Sequence, residues 1–348
     1  MKQTYFEERD QLNIAKIREL LRYDLPDFCE DFFIGVEAYT STLTRLGYAR
    51  DLKTFFQYLI NETREFQNLE IKELTVADLD KITATHIERY LHHLTLYRNN
   101  GKTLKNGEKA RGRKLSSVRN LLKYFFKKDK IKSNVADKVD TPKIHDGEII
   151  RLEVDEVVKL LNESEDATGF SQQQRNYLKH TRARDFAILS LFLGTGIRIS
   201  ECVGLDIDDI DFNDNAFRIT RKGGNKSVLY FNDEVKDALI GWMLVRRKIK
   251  DLPPTERALF ISLQNKRISV RAVQNLVKKY SQNVTLKKIT PHKLRSTFGT
   301  NLYRETNDIY IVANVLGHKD VNTTRKHYAA VGEDMRRQAA SKVKLRGE

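Results

Sequence analysis

Four short islands in the second half of the chain hold the residues best suited to chemistry. They are G-T-G-I-R-I-S-E with Arg198, R-K-G-G-N-K with Lys222, T-P-H-K-L-R with His292 and Arg295, and L-G-H-K-D-V-N-T-T-R-K-H-Y with His318 and Tyr328. A phenol titrates near ~10, so a tyrosine becomes a nucleophile at neutral pH only beside cations or a base. Two arginine guanidiniums can clamp the non-bridging oxygens of a phosphodiester. The same contacts stabilise the extra charge of a pentacoordinate transition state, each worth about 3 kcal/mol or more. The leaving oxygen needs a proton, which a lysine or a histidine supplies. As a set, these residue types suit phosphoryl transfer through a tyrosine.

Singly, each island has a plainer reading. Arg198 and Lys222 read as solvated surface cations, and His292 with Arg295 as a core histidine beside a surface arginine. Tyr328 alone reads as a helix residue resting its ring on a core. The elements around them favour the chemical reading. Pro291 suits the first position of a helix and sets His292 and Arg295 one turn apart, with Leu294, Phe298 and Leu302 facing a core. A helix start bearing an arginine and a histidine is a good phosphate site. Phe186–Leu193 predicts an apolar helix ended by Gly194-Thr195-Gly196. Phe217–Thr220 and Ser227–Phe231 predict two strands joined by the glycine turn that carries Lys222. Gly317 suits a helix C-cap, and Asp320 or Asn322 the cap of a following helix carrying Tyr328. No carboxylate cluster of the two-metal kind accompanies the islands, and His292, His318 and His327 lack zinc-ligand spacing. Neither a metal nor another cofactor is expected.

The chain as a whole fits a nucleic-acid partner. Its 348 residues are enough for two domains. There are 62 Lys and Arg against 47 Asp and Glu, a net charge of +15 that points to a polyanion. No segment reaches the ~18 to 20 apolar residues of a membrane span. The N-terminal M-K-Q-T-Y-F-E-E-R-D lacks an apolar signal region, and Cys29 and Cys202 match no ligand spacing. A cytoplasmic protein is expected. Leu12–Tyr23, Phe32–Leu46, Ala49–Asn61, His86–Tyr97 and Ser116–Phe126 show helical spacing, and no convincing strand precedes Asp146. Arg98 to Lys132 holds thirteen Lys or Arg and two acids, interleaved with Leu121, Leu122, Tyr124, Phe125 and Phe126. Most charge runs are solvated helix faces, but this one-signed excess is what phosphate-backbone contact needs.

In their order along the chain, Thr195 to Glu201 (T-G-I-R-I-S-E), Lys222, His292 to Arg295 (H-K-L-R), and Leu316-Gly317-His318 followed by Tyr328 resemble the catalytic domain of the tyrosine site-specific recombinases. The front half is similar to that family's helical core-binding domain. Within the family the chain is most similar to the Xer recombinases, in particular the single-protein XerS type. T-R-K-G-G-N-K (Thr220 to Lys226), T-P-H-K-L-R, E-D-A-T-G-F (Glu165 to Phe170) and an extra N-terminal helix carry that likeness.

The resemblance implies a mainly α fold with a small antiparallel β-sheet. Residues 1–140 would form an N-terminal helical DNA core-binding domain, 141–150 a linker, and 151–348 a mixed α/β catalytic domain with a C-terminal tail. It implies that Arg198 and Arg295 clamp the phosphate and that Lys222 is the general acid, with Lys226 a weaker candidate. His292 and His318 would assist proton transfer, Tyr328 would form a 3′-phosphotyrosyl link, and Glu201 would support the site. The implied partners are a double-stranded DNA recombination site, a homo-tetramer on two such sites and a cell-division DNA translocase. Chromosome-dimer resolution at a dif-like site is the implied role, with a mobile-element integrase or a type IB topoisomerase as alternatives. Two departures stand out. Ser296 occupies a position where many members have histidine, and His318 and Tyr328 are ten residues apart where nine is commonest, which bears on how the phenol is aimed.

Overall fold

The computed structural model describes residues 4–99, 101–143, 150–221, 225–317 and 321. The chain divides into two compact units, Met1–Gly147 and Glu148–Glu348.

The first unit runs α1 (Tyr5–Tyr23), α2 (Cys29–Gly35), α3 (Thr42–Glu62), α4 (Val76–Leu79), α5 (Ala84–His93), β1 (Tyr97–Asn99), β2 (Lys102–Leu104) and α6 (Glu108–Lys127). Thr4 starts α1 through a reciprocal cap, its hydroxyl accepting from the Glu7 N–H while the Glu7 carboxylate accepts from the Thr4 N–H. Spacing predicts separate helices over Phe32–Leu46 and Ala49–Asn61. The chain instead breaks after Gly35 and runs without interruption from Thr42 to Glu62. Ser41 accepts from the Thr44 N–H at 3.2 Å and so fixes the new start, while Gly47, inside α3, does not stop it. Phe32, Phe55, Phe56, Tyr90 and Phe125 fill the core, with Phe28 and Tyr58 packed edge-on or tilted against them.

One polar knot lies between α3 and α6. The buried Asp51 carboxylate accepts from Lys114 at 3.2 Å, from Ser117 at 2.9 Å and from Arg113. Burying that charge is tolerable because each oxygen is occupied. The basic run therefore divides in two. Lys114 is buried, and Arg119 donates to the Ala136 carbonyl at 3.1 Å and the Thr141 hydroxyl at 2.7 Å, holding the segment that follows α6. Arg98, Lys105, Lys109, Lys123, Lys127, Lys128, Lys130 and Lys132 are exposed. The expectation of no strand before Asp146 fails at β1 and β2, which pair antiparallel from Tyr97↔Leu104 to Asn99↔Lys102. Strands of three residues are too short to show alternation, and Gly101, at φ +73°, supplies the turn.

The second unit runs α7 (Val154–Asp166), α8 (Gln172–Leu178), α9 (Arg182–Thr195), α10 (Ile199–Gly204), β3 (Ile210–Asp211), β4 (Ala216–Thr220), β5 (Lys226–Tyr230), α11 (Asp233–Arg247), α12 (Val270–Ser281), α13 (Pro291–Thr306) and α14 (Ile309–Leu316). Helix α9 is its axis. Ala187, Ile188, Leu189, Leu191 and Phe192 are fully buried, and α7, α11 and α13 pack around them. A helix apolar on all sides belongs inside a core. The strands form an antiparallel sheet in the order β3-β4-β5, with Phe217 opposite Leu229 and Thr220 opposite Lys226. Trp242 on α11 is buried and donates its indole N–H to the Leu259 carbonyl at 2.8 Å. The fold is mainly helical with small antiparallel sheets, as the resemblance implies. No helix among the described residues is long and apolar enough to cross a membrane.

Candidate active site

Two left-handed helix ends build the frame of the site. Gly196 ends α9 at φ +62°, and Gly317 ends α14 at φ +60°. That conformation favours glycine. At Gly196 space favours it as well, since a Cβ there would collide with Phe298, while one on Gly317 would push the Arg221 guanidinium aside.

Arg198 is the N-cap of α10, the first residue beyond the turn at Gly196 and Ile197. Glu201, one turn later and buried, accepts from the Arg198 backbone N–H at 2.9 Å and from its Nη1 at 3.0 Å. The carboxylate therefore fixes both the start of the helix and the direction of the guanidinium. Nη2 of Arg198 donates to the Gly317 carbonyl at 3.0 Å. Its side chain is 37% exposed, so the face of the fork remains open to an anion.

Arg295 comes from the first turn of α13, whose start is set by Pro291 and by the Thr290 hydroxyl accepting from the Lys293 N–H. It is buried and donates to the carbonyls of Gly196 and Leu316. His292, one turn earlier on the same helix, is exposed. Arg221, at the end of β4, donates from Nη2 to the Val315 carbonyl at 3.1 Å. Three guanidiniums from three elements thus meet the successive carbonyls of Val315, Leu316 and Gly317. A helix C-terminus carries about half a negative charge, which attracts such cations and holds them in a fixed fan. Burial, outweighing the nearby Glu201, together with the charge of Arg198, pushes the Arg221 guanidinium down from its usual range.

Of the residues expected from the sequence, Arg198 and Arg295 are brought together at the end of α14, and His292 stands on the helix that supplies Arg295. Lys222, His318 and Tyr328 lie outside the described residues, as does His327. Lys226 is the exposed first residue of β5. Arg221 was not among the expected residues. Its one sequence signal is its place at the end of the β4 pattern, immediately before Lys222.

Residues 151–334 match the sequence profile of the phage integrase family. The chain belongs to that family, the tyrosine recombinases. It is 32% identical over 345 residues to tyrosine recombinase XerC of Caldanaerobacter subterraneus subsp. tengcongensis, covering 95% of this chain and 90% of that protein. It is 30% identical to tyrosine recombinase XerS of Lactococcus lactis subsp. cremoris, covering 94% and 98%. In fold it is similar to the XerH site-specific recombinase bound to a palindromic difH substrate in a post-cleavage complex, with a TM-score of 0.62, 20% identity and 86% and 80% coverage. Like other tyrosine recombinases, the protein cleaves and rejoins DNA.

Proposed function

We propose that this tyrosine recombinase acts at a dif-like chromosomal site and resolves chromosome dimers. Similarity to XerC and XerS proteins over nearly the whole length of each supports this role. The fan of guanidiniums at the end of α14 supports the chemistry. In that reading Arg198 and Arg295 hold the non-bridging oxygens of the scissile phosphate. The Tyr328 phenol oxygen attacks phosphorus, the bond to the 5′ oxygen breaks, and a 3′-phosphotyrosyl link forms. The departing 5′ oxygen takes a proton from Lys222, while His292 and His318 assist in moving the phenolic proton and hold the phosphate. Attack by the 5′ hydroxyl of the partner duplex reverses the step. The link conserves the energy of the broken bond, so neither metal nor nucleotide takes part. The basic first unit grips duplex DNA, four copies assemble on two sites, the segment after Tyr328 docks on a neighbouring copy, and a cell-division DNA translocase aligns the sites.

The test is covalent capture. Full-length protein is incubated, in the presence of EDTA, with a nicked duplex bearing a dif-like site from the source chromosome. A protein–DNA adduct that survives detergent is expected for the wild type and none for Tyr328→Phe. Adduct from the Phe variant, or a need for added metal, would overturn the mechanism.

A further inference from the structure

Arg221 has no role in the two-arginine scheme, yet it is built into the site as firmly as its neighbours. Its backbone N–H donates to the Asn225 carbonyl at 2.8 Å. Its Nη2 donates to Val315 at 3.1 Å, and its guanidinium lies against Gly317 so closely that a Cβ there would displace it. Its Nε is buried and, among the described residues, finds no acceptor. One residue thus joins the root of the hairpin turn to the end of α14 through both its backbone and its side chain.

A neutral amide could hydrogen-bond a helix-end carbonyl, and it would avoid the cost of desolvating a cation beside Arg198. The guanidinium does more than make one bond: it donates to the Val315 carbonyl and packs against Gly317 at the same time. The residue that follows in the chain is Lys222, and the residue that follows Gly317 is His318.

We infer that Arg221 is a positioning residue: it clips the turn bearing Lys222 to the end of α14, so that proton delivery to the leaving oxygen is held in register with the arginine clamp. The inference rests on the reading of Lys222 as the general acid.

A change of leaving atom tests it. In a duplex whose scissile 5′ oxygen is replaced by sulfur, the phosphorus–sulfur bond breaks as the tyrosine–phosphorus bond forms. Sulfur keeps the electron pair as a thiolate and needs no proton. Covalent-complex formation is timed on the oxygen and sulfur forms of the same nicked duplex. Lys222→Ala, Arg221→Ala, Arg221→Gln and Arg221→Lys are compared with the wild type, with duplex affinity and Tm measured alongside. Arg221→Ala should slow cleavage of the oxygen substrate about 100-fold, the scale of lost general-acid catalysis. On the sulfur substrate it should fall within about threefold of the wild type, with affinity unchanged. Arg221→Lys should recover about tenfold on oxygen. Arg221→Gln, which keeps a donor for Val315, takes the place of the Ala variant if that variant melts early.

Equal defects on both substrates would mean that Arg221 acts on the phosphate or only on stability, and the inference would fall. Wild-type rates on both would sink it as well. Those failures differ from failure of the underlying reading. If the wild type makes no adduct, the proposed function fails. If sulfur does not rescue Lys222→Ala, the assignment of the acid fails and the inference goes with it.

Discussion

Glu201 holds Arg198 in place. It is buried, and it accepts from Arg198 twice, once from the backbone and once from the guanidinium. Glu201→Gln keeps the size of the side chain but removes the charge and turns an N–H₂ group towards one of those donors. An unmet donor of this kind costs about 1–3 kcal/mol. Covalent-complex formation should therefore fall about 10- to 100-fold while duplex affinity in gel shifts holds. A loss of affinity with cleavage intact would contradict that role. The sequence points to Arg198, Glu201 and Arg295 because each sits at a helix start whose punctuation is local: a glycine before, a proline or carboxylate within one turn. Arg221 escapes such reading. What distinguishes it is contact with Val315 and Gly317, more than ninety residues further along the chain, and no local pattern encodes that.

Between helices, the Asp51 knot ties α3 to α6 and so fixes the helix that presents much of the basic run. Asp51→Ala leaves Lys114 buried without its counter-charge, a loss of about 3–5 kcal/mol by the usual cost of breaking a buried pair. Urea unfolding of the first unit should show it, and adding Lys114→Met should restore most of the stability. A double variant as weak as the single one would mean that Asp51 acts through Ser117 or Arg113 instead. The long helices were legible because their apolar spacing is strong, as in α1 and α6. The break between α2 and α3 was not. Apolar residues continue at helical intervals through Val36 and Leu46, and the stop comes from the cap at Ser41, which competes with that periodicity over a few residues. The short ribbon of β1 and β2 was hidden for the opposite reason, having too few residues to carry any period.

Across the whole molecule, the net charge of +15 makes binding to DNA sensitive to salt. Each phosphate neutralised releases counterions, so the logarithm of affinity falls with the logarithm of salt at a slope of about 0.9 per contact. Lys105 and Lys109 are exposed in the ribbon-to-α6 stretch and engaged in none of the ties that hold Lys114 and Arg119. Replacing both with Gln should flatten that slope by about 2 and weaken specific and random duplexes alike. An unchanged slope would remove this stretch from the DNA-binding surface. The chain has a single tryptophan, Trp242, and it is enclosed in the second unit with its indole N–H spent on Leu259. Light at 295 nm therefore excites one half of the protein alone. Its emission is an optical gauge of catalytic-half unfolding, blind to events in the helical front half, and the stabilities of the two halves can be separated without labels.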